Sequence, residues 1–237
     1  MTDTAHGARP SDRLWGAVRI WAWLFMASAA LGILAFSYRV WLLSQIPGDA
    51  PMSEYDLISD YLIGADSEVW ITAVAGLSYF LTYVIGAFLV LKWYLRSVRN
   101  ARALSNGVET SPKWAIWWFI IPLVSLWKPY SMTSELWRSS EAPDRWKGAR
   151  DPALLRWWWG TVLAANFVGT ATNIMSRAVS TAAHVLTSDT VLIACYVLQI
   201  AAGLLFLRIG GPISRRQTGL IAAGRSAPAT ATPAWAP

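Results

Sequence analysis

The sequence predicts an all-α integral membrane protein with four transmembrane helices arranged as two hairpins. Three observations carry this. Hydrophobic residues make up 55% of the 237 and charged residues only 14%, where soluble domains carry about 25% charged residues. Four long apolar runs hold few charges, and a helix needs about 18 or more such residues to cross about 30 Å of hydrocarbon. The basic residues gather between these runs on one set of loops, as they do at the cytoplasmic ends of spans.

Residues 1–13 are mostly polar and small, and read as a disordered cytoplasmic tail. The first span covers about residues 18–43. Arg9, Arg13 and Arg19 precede it, and Ala35-Phe36-Ser37 has the small-x-small form of a cleavage site. The apolar stretch is nevertheless longer than the roughly 7–15 residues of a signal core, so it is read as an uncleaved helix. Arg39 sits near its far end, where the guanidinium can reach the interface.

The connection over residues 44–68 has no Lys or Arg but holds Asp49, Glu54, Asp56, Asp60, Asp66 and Glu68. Ser53-Glu54-Tyr55-Asp56 reads as a capping box. Tyr55, Ile58, Tyr61 and Leu62 then recur at helical spacing, which predicts a short amphipathic helix on the outer surface. Lacking calcium-loop spacing, the carboxylates read as a solvated acidic loop rather than a divalent-cation site.

The second span covers about residues 69–95 and runs into Lys92, Arg96, Arg99, Arg102 and Lys113. Residues 114–127 are apolar, but at fourteen residues they reach only about 21 Å as a helix, and Pro122 interrupts them. A crossing here would place Lys128, Arg138, Arg145, Lys147, Arg150 and Arg156 outside. Without a crossing, only Arg39 and Arg177 of the twenty Lys and Arg lie away from the cytoplasmic side. The segment is therefore expected to be re-entrant or interfacial on the cytoplasmic side. A helix over about residues 129–140 follows, with Tyr130, Thr133, Leu136 and Trp137 on one face, which suits an interfacial helix or equally a cytoplasmic docking surface.

The third and fourth spans are expected at about residues 154–175 and 190–207. A short outer loop joins them, carrying Arg177, His184 and Asp189. The membrane domain is thus 14–209, and residues 210–237 read as a second disordered cytoplasmic tail. Both termini are expected on the cytoplasmic side of the membrane.

The centre of the chain forms a recognisable block. Trp93-Tyr94-Leu95-Arg96 leads to Arg99-Asn100-Ala101-Arg102-Ala103-Leu104 and Ser111-Pro112-Lys113-Trp114-Ala115. Trp117-Trp118-Phe119-Ile120-Ile121-Pro122, Leu126-Trp127-Lys128-Pro129-Tyr130, Glu135-Leu136-Trp137-Arg138-Ser139-Ser140 and Trp157-Trp158-Trp159 complete it. In this order the block resembles the bacterial membrane family catalogued as domain of unknown function 4328, common in actinobacteria. The resemblance covers about residues 70–208. It marks Asn100, Pro122, Ser125, Pro129, Trp137 and Arg138 as candidate structural positions. Ser125 departs from the pattern, which usually has Asn there, so a turn contact made by that amide would be met only in part. The resemblance implies a multi-pass protein of a bacterial plasma membrane, and no reaction.

Sixteen tryptophans fall mostly at the expected boundaries, as an aromatic belt does. A sharper candidate is an anionic-lipid or partner site formed by Arg145, Lys147, Arg150 and Arg156 around Trp157, Trp158 and Trp159. Asn166 and Gln199 lie near the middles of the third and fourth spans. Two amides at matching depth are expected to form an intramembrane polar pair.

Basic residues interleaved with Trp beside apolar spans argue against nucleic acid. Cys195 lies alone in an apolar run, and the two histidines are His6 and His184. No catalytic, cofactor-binding or metal-ligating constellation is expected. The sequence therefore favours a non-enzymatic component that binds lipid, possibly anionic, or a protein at the cytoplasmic face. The alternative is a small-solute transporter or channel subunit, which the lack of Asp or Glu in the expected spans disfavours.

Overall fold

The computed structural model describes residues 8–52, 58–62, 65–178 and 180–225. These residues form six α-helices and no strand: α1 (Asp12–Leu43), α2 (Ser67–Leu104), α3 (Trp114–Ile120), α4 (Lys128–Glu141), α5 (Ala153–Arg177) and α6 (Ala182–Ala222). Three of them, α1, α2 and α6, are long and apolar enough to cross a membrane. Helix α5 has 25 residues, about 37 Å and so long enough. Three tryptophans, two asparagines and several threonines dilute its apolar character.

Two helices outrun the expected spans. Helix α2 continues past residue 95 to Leu104. Helix α6 begins before residue 190 and runs to Ala222, so residues 210–222 are helical rather than tail. Gly210-Gly211-Pro212 reads like a helix stop, because Pro212 cannot donate to the Arg208 carbonyl one turn back. Packing keeps the helix going. It ends instead at Gly224, whose φ of +68° is open to glycine at little cost. There the Gly224 amide donates to the Ile221 carbonyl and the Arg225 amide to the Leu220 carbonyl, closing the helix with a Schellman motif.

Between residues 44 and 68 the described part forms a short 3-10 turn, Ile58–Asp60. The expected capping box at residues 53–56 lies outside the described residues.

The chain divides into two compact units. The first takes in the described residues up to 19, residues 87–157 and those from 206 onward. Its centre is aromatic. Trp93 stands 5.3 Å from Trp15, 4.8 Å from Tyr94 and 5.6 Å from Phe206, ring centre to ring centre. Gly210 faces the Trp15 ring so closely that a Cβ there would overlap it. Helix α4 lies inside this unit and buries Met132, Thr133, Ser134, Glu135, Leu136, Ser139 and Ser140. Thr133 and Leu136, expected to share one face with Tyr130 and Trp137, belong to that buried face. Tyr94 and Thr133 share a hydrogen bond between their hydroxyls at 2.9 Å.

The second unit comprises Ile20–Gly86 and Trp158–Leu205. Its buried cluster includes Leu42, Leu43, Ile46, Met52, Ile58, Ala65, Ala182 and Val185. The two inter-helix connections meet there in a single bridge between Pro51 and Thr181. The Ala182 amide donates to the Ala50 carbonyl at 3.0 Å. Gly32 lets the Tyr196 ring come within 2.9 Å of where a Cβ would stand. Ser28 and Thr82 bond to each other through their hydroxyls at 2.8 Å, satisfying two polar groups on apolar helices.

Candidate functional site

In the first unit the family-like block folds into a polar lattice. Asn100 is buried, and its side chain bonds the Arg9 backbone twice, accepting from N and donating to O at 3.0 Å each. The same amide donates to Gln217 Oε1 at 3.3 Å, and Gln217 in turn donates to the Ser97 carbonyl. Asn100 thus ties the N-terminal segment, the end of α2 and the end of α6 together. Trp93 Nε1 donates to Ser214 Oγ at 2.8 Å on a second α6 contact.

Glu135 organises the loop before α3. Its carboxylate accepts from the Glu109 amide at 2.5 Å, the Thr110 amide at 3.1 Å and the Thr110 hydroxyl. Three donors on a buried carboxylate make it a structural acceptor.

Arg138 lies 3.4 Å from Asp151 and over the Trp146 ring, while Ser134 donates to both Asp151 oxygens. Tyr130 is also beside Asp151. Burial pushes its phenol up first, the Asp151 charge adds to that, and Arg156 opposes it. Trp137 donates to Glu141, and Arg216 covers its ring while pairing with the same carboxylate.

Residues 114–127 do not form one helix. Helix α3 has seven residues, about 10 Å, and a 3-10 turn at Val124–Leu126 follows. Pro122 is exposed, Pro129 is buried, and the Ser125 hydroxyl donates to the Pro122 carbonyl at 2.7 Å. A hydroxyl therefore closes the turn where an amide was the expected side chain. Around it, Trp114, Trp117, Ile120, Leu123 and Trp127 are between 52% and 72% exposed. Lys128 stands over the Trp118 ring.

A family model, Domain of unknown function (DUF4328), matches residues 59–210. The chain belongs to this family. No curated protein and no solved structure matches it. Within the matched DUF4328 region, Asn100, Trp93 and Glu135 make the contacts between separate segments of the first unit, which gives the block a structural purpose.

The candidate basic residues all belong to the first unit. Arg145, Lys147, Arg150 and Arg156 are all exposed. Lys147 stands over Trp146, whose Nε1 donates to the Asn106 carbonyl. Trp157 is exposed in the first unit, while Trp158 is buried in the second.

The second unit holds a cavity of about 590 Å³ lined by both Asn166 and Gln199. Gln199 accepts from the Tyr79 hydroxyl at 2.5 Å and donates to Cys195 Sγ at 3.3 Å. Asn166 donates to the Val162 carbonyl of its own helix at 2.9 Å. At one end of the unit stands an ion cluster that the spans' apparent lack of carboxylates hides. Arg39 Nε lies 3.4 Å from Glu68 Oε1 and 3.3 Å from Asp189 Oδ2. Both carboxylates are buried. Glu68 belongs to the first turn of α2, and Asp189 lies within α6 beyond its first turn, so both residues are helical rather than loop. The one sequence signal was Arg39, a charge inside an apolar run with no partner nearby in the chain.

Proposed function

We propose that this DUF4328 protein is a multi-pass component of a bacterial plasma membrane that holds anionic lipid at its cytoplasmic face. In this reading α1, α2, α5 and α6 all cross, and both termini lie inside. Residues 114–127 enter the inner leaflet without crossing.

The observation that carries the reading is the aromatic face of residues 114–127. Trp114, Trp117, Ile120, Leu123 and Trp127 are mostly exposed on a segment whose helix is seven residues long. A soluble surface rarely presents so continuous an apolar patch. Trp belongs at the level of the headgroups, with its ring in hydrocarbon and its N–H among polar groups. Exposed Lys113 precedes this face, and Arg145, Lys147 and Arg150 belong to the same unit. Each cation near an anionic surface adds about 1 kcal/mol of attraction.

Four crossings are supported by which helix ends meet. Asn100 joins the segment before α1 to the ends of α2 and α6. Arg39, Glu68 and Asp189 join the other ends of the same three helices. Helix α5, at 25 residues, is long enough to cross beside them.

The test is lipid retention by the purified full chain, extracted into detergent from membranes containing phosphatidylglycerol and phosphatidylethanolamine. The protein is expected to retain phosphatidylglycerol in excess over its membrane share. Changing Arg145, Lys147 and Arg150 to Gln should remove that excess with helicity intact. Equal retention by the triple variant contradicts the lipid reading, and a co-purifying protein released by the same change would favour a partner instead.

A further inference from the structure

We propose that the cavity of the second unit binds a small organic ammonium group, with Asp189 as its counter-ion and tyrosine rings as its walls. The inference stands apart from the cytoplasmic-face reading, since every residue it uses lies in the other unit.

Charge is the first ground. The ion cluster at the cavity holds one cation, Arg39, against two carboxylates, Glu68 and Asp189. Formally it carries one negative charge more than it balances. Arg39 and Asp189 both line the cavity, while Glu68 stands behind and also accepts from Thr72 Oγ1 at 3.3 Å. An added cation completes the balance, whereas an added anion would make three negative groups around one guanidinium.

The second ground is an oxygen with nothing to accept from. Asp189 is only 7% exposed, and its Oδ2 has no hydrogen bond although Arg39 Nε is 3.3 Å away. Arg39 Nε is likewise without a hydrogen bond, so the two attract without alignment. A buried carboxylate oxygen left in this state is costly, and because the Asp189 side chain lines the cavity, a turn of its carboxylate toward a ligand N–H would relieve it.

The walls supply the rest. Tyr79, Tyr83, Tyr196 and Phe36 line the cavity, and aromatic faces attract ammonium groups within about 6 Å. Asn166 and Asn173 also line it, and each donates its Nδ2 to its own helix, to Val162 O and Gly169 O respectively. Each amide then offers a ligand its carbonyl oxygen and one remaining N–H. The Gln199 amide is engaged on both sides, by Tyr79 and Cys195, so it positions the Tyr79 ring. Acceptors and ring faces together suit an N–H-bearing cation.

A bare metal ion fits less well. Calcium takes six to eight oxygens at roughly 2.3–2.6 Å, but aromatic rings form much of this lining. A volume of about 590 Å³ lies within the range of small-molecule sites, roughly 300–1,000 Å³. The ammonium can come from a free amine or from the headgroup of phosphatidylethanolamine.

The experiment is calorimetric titration of the full chain in phosphatidylglycerol nanodiscs with two probes of matched shape and opposite charge, phenethylammonium and phenylacetate. Saturable binding of phenethylammonium is expected, at least tenfold tighter than phenylacetate. Asp189→Asn, which keeps the side chain's shape, should weaken the amine at least tenfold. Equal or tighter binding of phenylacetate, or no saturable amine binding, overturns the proposal even if the variant fails to fold. Unchanged affinity in a folded Asp189→Asn protein overturns it too. Repeating the titration with phosphatidylethanolamine in the discs identifies the source. Lost amine binding there assigns the site to the lipid headgroup, and undiminished binding assigns it to a free amine, both upholding an ammonium site.

Discussion

Trp93 donates its indole N–H to the Ser214 hydroxyl at 2.8 Å, and the two residues are both fully buried. Ser214 stands two residues beyond Pro212. This bond therefore holds α6 just past the point where its own ladder loses a member.

Removing the acceptor should be costly. Ser214→Ala leaves a buried indole N–H with no partner, which costs about 1–3 kcal/mol. The thermal midpoint of the detergent-solubilised chain should fall. Trp93→Phe should also lower it, through lost packing as well as the lost bond. The double variant should fall short of the sum, since both changes break one contact.

Gly210 and Gly219 lie on the same helix and should respond in opposite ways. A Cβ at Gly210 meets the Trp15 ring, which is itself wedged against Trp93 and Phe206. Gly210→Ala should destabilise by about 1–3 kcal/mol, as overpacking does. At Gly219 a Cβ meets nothing, so Gly219→Ala should be neutral or gain up to about 1 kcal/mol from helix propensity. Parallel thermal melts of the two variants check this contrast.

Glu135 is a test of the loop before α3. Gln has one acceptor oxygen where the carboxylate has two, and its amide would face the Thr110 or Glu109 N–H. Glu135→Gln should cost about 1–3 kcal/mol and make residues 105–113 more sensitive to limited proteolysis. Cleavage at the same rate as in the parent chain would contradict an anchoring role for this carboxylate.

Much of the architecture was legible in the sequence, and the misses have physical causes. Apolar runs reveal where a helix crosses hydrocarbon but not where it ends, so α2 and α6 were read short. Their continuations carry Arg96, Arg99, Arg215 and Arg216, ordinary residues for either a helix or a loop. Only tertiary contacts, such as Gly210 against Trp15, decide between them. The Arg39 cluster was missed for a related reason. Glu68 sits where an acidic loop and a helix start look alike, Asp189 lies in the part of α6 that precedes the apolar run, and their shared partner is distant in the chain. The family block was legible as a pattern, yet its purpose was not. Asn100 and Glu135 work by bonding backbone groups of Arg9, Glu109 and Thr110, contacts that residue identity alone does not reveal.

The central claim is that residues 114–127 enter the membrane without crossing it, and labelling of introduced cysteines in intact cells tests that most directly. In a Cys195→Ala background, Asp49→Cys in the connection between α1 and α2 and Thr187→Cys near the start of α6 occupy exposed positions, and Asn106→Cys and Ala153→Cys occupy exposed positions on either side of 114–127 in the chain. The account predicts that a membrane-impermeant maleimide modifies the first two from outside. The last two should react only after the membrane is opened. Modification of Ala153→Cys from outside, with Asn106→Cys still protected, would mean that the segment crosses and would contradict the account.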